Sequence, residues 1–124
     1  MEQTNLDSGV NRNKHKLTYA YANYVDGGGL YIEALEDGEF YTELTVNLYG
    51  YGIVPEKNQV IMPVYKMDPE LVLKVKNDLV KRVIKRINYG PFDAYGELVE
   101  LKDDWEKRIA SIESLMPHEA DEDD

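Results

Sequence analysis

The chain predicts an α+β fold: a four- to five-stranded, mostly antiparallel sheet with one long helix packed on a face and a short C-terminal helix. Three observations lead there. The run FYTELTVNL, residues 40–48, alternates apolar and polar side chains, the mark of a strand with one dry face and one wet face. Two earlier alternating runs are separated from it and from each other by glycine-bearing turns, which makes an antiparallel meander. Residues 69–88 then carry apolar side chains at helical spacing.

Taken in order, residues 1–15 are polar and without periodicity, and are expected to be disordered. LTYAYANYV, residues 17–25, sets Leu17, Tyr19 and Tyr21 against Thr18, Ala20, Ala22 and Tyr24. Asp26-Gly27-Gly28-Gly29 is the first turn, and GLYIEAL follows with Leu30, Ile32 and Ala34 on one face. The Asp37-Gly38 pair signals a hairpin into 40–48, where Phe40, Thr42, Leu44, Val46 and Leu48 are expected inside. Tyr49-Gly50-Tyr51-Gly52 and Pro55-Glu56-Lys57-Asn58 read as loop. QVIMPVY, residues 59–65, has strand composition, but Pro63 cannot donate to a ladder, so the segment is an edge strand or a short extended piece.

Asp68-Pro69-Glu70 opens the helix 69–88: a capping carboxylate, a proline pre-set for the first turn and an acid at the positive dipole end. Val72, Val75, Leu79, Val83 and Ile87, with Val80 and Ile84, form its apolar stripe, and Gly90-Pro91 stops it. FDAYGELVEL, residues 92–101, reads as a further strand with a bulge at Gly96. A helix over 103–116 docks through Trp105, Ile109 and Ile112, and residues 117–124 form an acidic tail expected to be disordered. Residues 16–116 thus make a single domain.

Composition narrows the function classes. There is no cysteine, hence neither a disulfide framework nor a thiolate metal site. No apolar run reaches a membrane-spanning length and the N-terminus lacks an apolar signal core, so a cytoplasmic protein is expected. Net charge is −10, yet residues 66–88 hold seven basic residues against three acids, which leaves −14 for the remainder. Such an acidic body repels nucleic acid at long range, or imitates it where carboxylates are spaced like phosphates.

Candidate sites follow from these patterns. Ten tyrosines stand against one Trp and two Phe. Tyr31 and Tyr41 fall on the expected outer face beside Glu33 and Glu43, a tyrosine–carboxylate surface of the kind used in recognition. Asp103, Asp104 and Glu106 add a dense anionic stretch. A second reading uses the basic helix 69–88, with Lys74, Lys81, Arg82, Lys85 and Arg86 contacting phosphates. Catalysis finds little support: His15 and His118 lie in terminal segments, and neither a nucleophile elbow nor a phosphate-binding glycine loop occurs. Neither a metal nor a cofactor site is expected.

The stretch YANYVDGGGLYIEALEDGEFYTELTVNL resembles the opening of a small bacterial domain family of unknown function. The matching positions are Tyr24, Gly29, Leu30, Ile32, Leu35, Gly38, Phe40, Tyr41 and Leu44-Thr45-Val46-Asn47-Leu48, with Gly90 to Tyr95 similar to the family's closing strand. The likeness covers about residues 17–101. The chain departs from the family in a longer, more basic central helix and in the segment from Trp105 to Met116. Family members occur on phages and conjugative elements, so the resemblance implies a mobile-element accessory protein and transfers no catalytic or binding residue. The resulting expectation is a non-enzymatic acidic protein that inhibits a host defence nuclease, of CRISPR or restriction type, by protein–protein contact or as a nucleic-acid mimic. A nucleic-acid-associated regulator is the alternative, and a small metabolic or nucleotide-binding domain the third class.

Overall fold

Side-chain alternation builds the first half of the molecule around a three-stranded meander. A computed structural model describes residues 16–25, 29–91 and 93–115; the expectations for 1–15, for most of the first glycine turn and for 117–124 lie outside the described residues. Strands β1 (Leu17–Asn23), β2 (Leu30–Glu36) and β3 (Glu39–Glu43) form an antiparallel meander. Tyr24 N–H donates to the Gly29 carbonyl (2.9 Å) across the first turn. The α+β class holds, and the strands divide between two sheets.

The first sheet is completed by β7 (Ala110–Ser111), which runs parallel to β1. The second is the antiparallel array β4 (Gln59–Met62), β6 (Tyr95–Leu101) and β5 (Val80–Asn88), with β6 central. β4 takes the edge, as Pro63 at its end requires. Helix α1 (Pro69–Leu79) precedes β5, and the short helices α2 (Trp105–Arg108) and α3 (Ile112–Leu115) flank β7.

Four sequence expectations are corrected. The helix 69–88 ends at Leu79 and its second half is β5. Its start is as read, with Asp68 Oδ2 accepting from Leu71 N–H (3.1 Å) and Pro69 in the first turn. The error lies in the period. The β5/β6 register skips Lys81 and Ile84, each at an irregularity. A strand with two extra residues puts Val80, Val83 and Ile87 at spacings that imitate a helical stripe. β-branched residues at 80, 83, 84 and 87 also favour the extended form, and pairing with β6 decides the matter.

Secondly, the strand 40–48 ends at Glu43. Leu44 N–H still bonds Ile32 O of the first sheet, but Val46 N–H bonds Ile61 O of the second, both at 2.9 Å. The segment therefore crosses between sheets instead of extending either. The β2/β3 register skips Tyr41, so Phe40 lies opposite Leu35 and is 59% exposed instead of buried. Thirdly, the helix 103–116 is broken by β7: Trp105 and Ile109 are buried as expected, while Ile112 is half-buried.

Gly96 proves to be a close approach and not a bulge. It pairs regularly with Ile87, and a Cβ there would stand 2.7 Å from the Met62 carbonyl oxygen. The main core unites Tyr19, Ile32 and Ala34 of the first sheet with Val60, Met62, Val99 and Leu101 of the second, sealed by Val75 and Leu79 of α1 and by Trp105. A second cluster, Leu48, Ile61 and Ile87, lies on the opposite face of the second sheet under Val46 and Ile53.

Candidate functional site

The TVNL segment works as a clasp. Leu44 enters the main core and Leu48 the second cluster. The buried Thr45 hydroxyl accepts from Ile32 N–H (3.3 Å) and bonds the Tyr24 hydroxyl (2.9 Å). Asn47 Oδ1 accepts from Tyr49 N–H (2.9 Å), which starts the 3-10 turn Tyr49–Tyr51.

Of the surface expected to bind a partner, Tyr31, Glu33, Tyr41 and Glu43 do share strands β2 and β3, and Glu33 faces Glu43 across them. Tyr31 is already engaged: its hydroxyl donates to Glu33 Oε1 (2.7 Å) and its ring meets Tyr24 edge-on at 5.7 Å. Burial, that bond and the charges of Glu33 and Glu43 raise the Tyr31 pKa, so it stays a neutral donor. Tyr41 is 51% exposed at a shallow depression shared with Phe40, Asn47 and Lys66. Asp103, Asp104 and Glu106 stand elsewhere, in the turn after β6 and in α2. Asp103 lies 3.4 Å from Lys81, and Asp104 accepts from Arg108 Nε (2.9 Å), a bond that holds its carboxyl below the usual range. Among the described residues, no hydrogen bond or ion pair joins these acids to the Tyr31 group.

The cations assigned to the basic helix are spread along α1 and β5, and most are neutralised. Lys74 pairs with Asp78 (3.0 Å) and Arg82 with Glu100 (2.6 Å). Lys76 meets Glu97 (2.6 Å), which ties α1 to the second sheet. Lys85 is exposed and forms no ion pair among the described residues.

A different constellation comes together at the end of the second sheet where β6 begins. Tyr51 arrives on the 3-10 turn after the clasp, Tyr65 on the turn Val64–Lys66 after β4, Tyr89 just past β5, and Tyr95 at the first position of β6. Their rings form a chain: Tyr51 to Tyr89 at 6.1 Å, Tyr89 to Tyr65 at 6.2 Å, and Tyr65 to Tyr95 at 6.1 Å. The first two are edge-on, the geometry aromatic quadrupoles favour. Arg86 closes the chain with its Cζ 3.8 Å above the Tyr95 ring. Gly90, at φ 68°, takes a left-handed turn beneath the Tyr51 hydroxyl, and Tyr89 N–H closes that turn on Ala94 O (2.9 Å).

The patch is open at Tyr51 and Tyr65, 61% and 43% exposed, while Tyr89 and Tyr95 are half-buried. Burial raises the Tyr89 pKa, reinforced by the neighbouring Tyr65 and Tyr51 phenols. Sequence reading put Tyr51 in a loop, Tyr65 in the extended segment 59–65, Tyr89 at a helix stop and Tyr95 in the strand 92–101, and did not join them. The available signal was their position beside turn glycines, in Tyr49-Gly50-Tyr51-Gly52 and Tyr89-Gly90, which places rings at strand ends. Which strand ends meet depends on sheet order, and that is not local information.

Among the described residues no group of three His, Cys, Asp or Glu side chains is placed to hold a metal ion, and no helix is long and apolar enough to cross a membrane. No family model, no curated protein and no solved structure matches the chain.

Proposed function

We propose that this chain is a non-enzymatic binding protein that acts through protein–protein contact, and that its contact surface is the tyrosine patch Tyr51, Tyr65, Tyr89 and Tyr95 with Arg86. The observation that carries the reading is the contiguity of these rings on an exposed surface. Tyrosine and arginine dominate the energetically decisive positions of protein interfaces, because a rigid ring buries much area while losing little side-chain entropy. The resemblance to a mobile-element family makes a host defence nuclease the partner we propose. Two findings favour the tyrosine patch over the acidic surface expected from sequence: Tyr31 is bonded internally to Glu33, and Asp103 and Asp104 are paired with Lys81 and Arg108. Pairing of Lys74, Lys81 and Arg82 with acids likewise weighs against a phosphate-binding strip.

The test is cross-linked capture from host lysate followed by identification of the bound protein. The double variant Tyr51→Ala, Tyr65→Ala is expected to weaken capture at least about tenfold, the range of hot-spot truncations. Tyr31→Ala should leave capture unchanged. Reversed sensitivities would return the contact to the first sheet. A salt-sensitive DNA shift abolished by Lys81→Glu with Arg82→Glu would establish the nucleic-acid reading instead.

A further inference from the structure

Arg86 is held in place from two sides. Its guanidinium carbon stands 3.8 Å above the centroid of the Tyr95 ring, and its Nε donates to Asn88 Oδ1 at 3.0 Å. An arginine side chain on an exposed strand normally samples many rotamers; these two contacts fix both the plane and the rotation of the fork. The two terminal nitrogens have no acceptor among the described residues. Arg86 lines an open depression of about 550 Å³ together with Asn88, Tyr89, Gly90, Asp93 and Tyr95. The site thus offers a pre-oriented pair of N–H donors beside aromatic walls.

We infer that this depression is a carboxylate-binding site, and that its occupant is an acidic side chain of an extended segment on the partner protein. The inference rests on the proposed role of the tyrosine patch and names the chemistry of its partner. A guanidinium fork matches carboxylate and phosphate alike, so the surroundings decide. A nucleic-acid backbone needs a run of uncompensated cations, since its affinity comes from neutralising successive phosphates. Along β5, Lys81 and Arg82 are occupied by Asp103 and Glu100, so the strand offers no such run. A single carboxylate flanked by apolar or aromatic residues requires one fork and a ring surface, and both are present. Lys85, exposed and without an ion-pair partner among the described residues, supplies a further positive charge on the same strand.

The experiment is selection of a phage-displayed library of random linear peptides on the immobilised full-length protein, with fluorescent oligothymidylate as the nucleic-acid probe. The wild-type protein is expected to enrich peptides with Asp or Glu beside aromatic or apolar residues. Arg86→Lys keeps the charge but loses the fork, and should weaken a selected peptide about tenfold and erase the acidic preference. Asp93→Asn removes the competing anion and should tighten binding. Unchanged Trp105 fluorescence in each variant verifies the fold. Peptides enriched without acidic preference, or bound equally by Arg86→Lys, overturn the carboxylate site while leaving the tyrosine patch intact. Failure of Tyr51→Ala, Tyr65→Ala to affect any selected peptide overturns both. Oligothymidylate that displaces the peptides and loses affinity in Arg86→Lys overturns the carboxylate in favour of phosphate.

Discussion

Replacing Gly96 by alanine tests how the second sheet is assembled and, through it, how the tyrosine patch is held. An ideal Cβ at this position lies 2.7 Å from Met62 O and 3.1 Å from Ile61 Cγ2. Even a favourable carbon–oxygen contact is about 3.3 Å, so β4 must retreat by roughly half an ångström from the central strand. Overpacking of this kind costs about 1–3 kcal/mol. Alanine recovers about 0.4–1 kcal/mol by restricting the unfolded chain. Taking the middle of each range, the net loss is about 1.3 kcal/mol. With a urea slope of about 1.5 kcal/mol/M for a chain of this size, the midpoint should fall by roughly 1 M, with the slope unchanged. The displaced strand leads through Pro63 directly into the turn carrying Tyr65, so the Tyr65–Tyr95 contact should loosen and partner capture weaken in parallel. Urea unfolding followed by Trp105 fluorescence measures the stability term. An unchanged or raised midpoint would refute the close approach of β4 to β6 as the reason for glycine.

The further outcomes concern two buried polar contacts, Tyr19 with Asp78 and Trp105 with Asn58. The buried Tyr19 hydroxyl donates to Asp78 Oδ2 at 2.6 Å, so Tyr19→Phe should cost about 1.5 kcal/mol, as for a hydrogen bond to a charged acceptor. Burial pushes the Asp78 carboxyl up, but the bonds from Tyr19 and Lys74 and the charges of Lys74 and Lys102 outweigh it and hold it below its ordinary value of 3.8. A depressed acid stabilises the fold above its unfolded pKa and loses that contribution as pH falls below about 4. Acid titration of the unfolding free energy should show this limb, shallower in Tyr19→Phe. Tyr19 itself is raised above 10.0, chiefly by burial, so stability should also decline as pH climbs past about 10, coincident with tyrosinate absorbance. Finally, Trp105 Nε1 donates to Asn58 Oδ1 (2.9 Å), and Asn58 sits at φ 65°. Asn58→Gly keeps that backbone accessible and orphans the buried indole N–H, a loss of about 1–3 kcal/mol readable by thermal unfolding.

The candidate site was less legible than the fold because contiguity of rings is a property of sheet order. That Tyr31 and Tyr41 lie on paired strands of one hairpin was visible from local spacing alone. Tyr51, Tyr65, Tyr89 and Tyr95 come from four separate segments, and only the arrangement of β4, β6 and β5 brings them within ring contact. The same holds for Arg86, whose orientation depends on β5 being a strand next to Tyr95 and not the last turn of a helix.

What the residues determined unaided is whatever sterics and short-range periodicity control. The meander, the capped start at Asp68, the edge placement imposed by Pro63, and the burial of Trp105 and Ile109 all follow from side-chain alternation or a single residue's backbone chemistry. What the tertiary structure decided is where one period gives way to another. VKRVIKRI satisfies a helix and a twice-bulged strand equally well at the level of spacing; hydrogen bonding to β6 selects the strand. Likewise the TVNL segment alternates as any strand does, and only competing carbonyls on two sheets, Ile32 and Ile61, turn it into the bridge between them. Pairing partners distant in sequence supply the hydrogen bonds that break such ties, and a linear pattern holds no record of them.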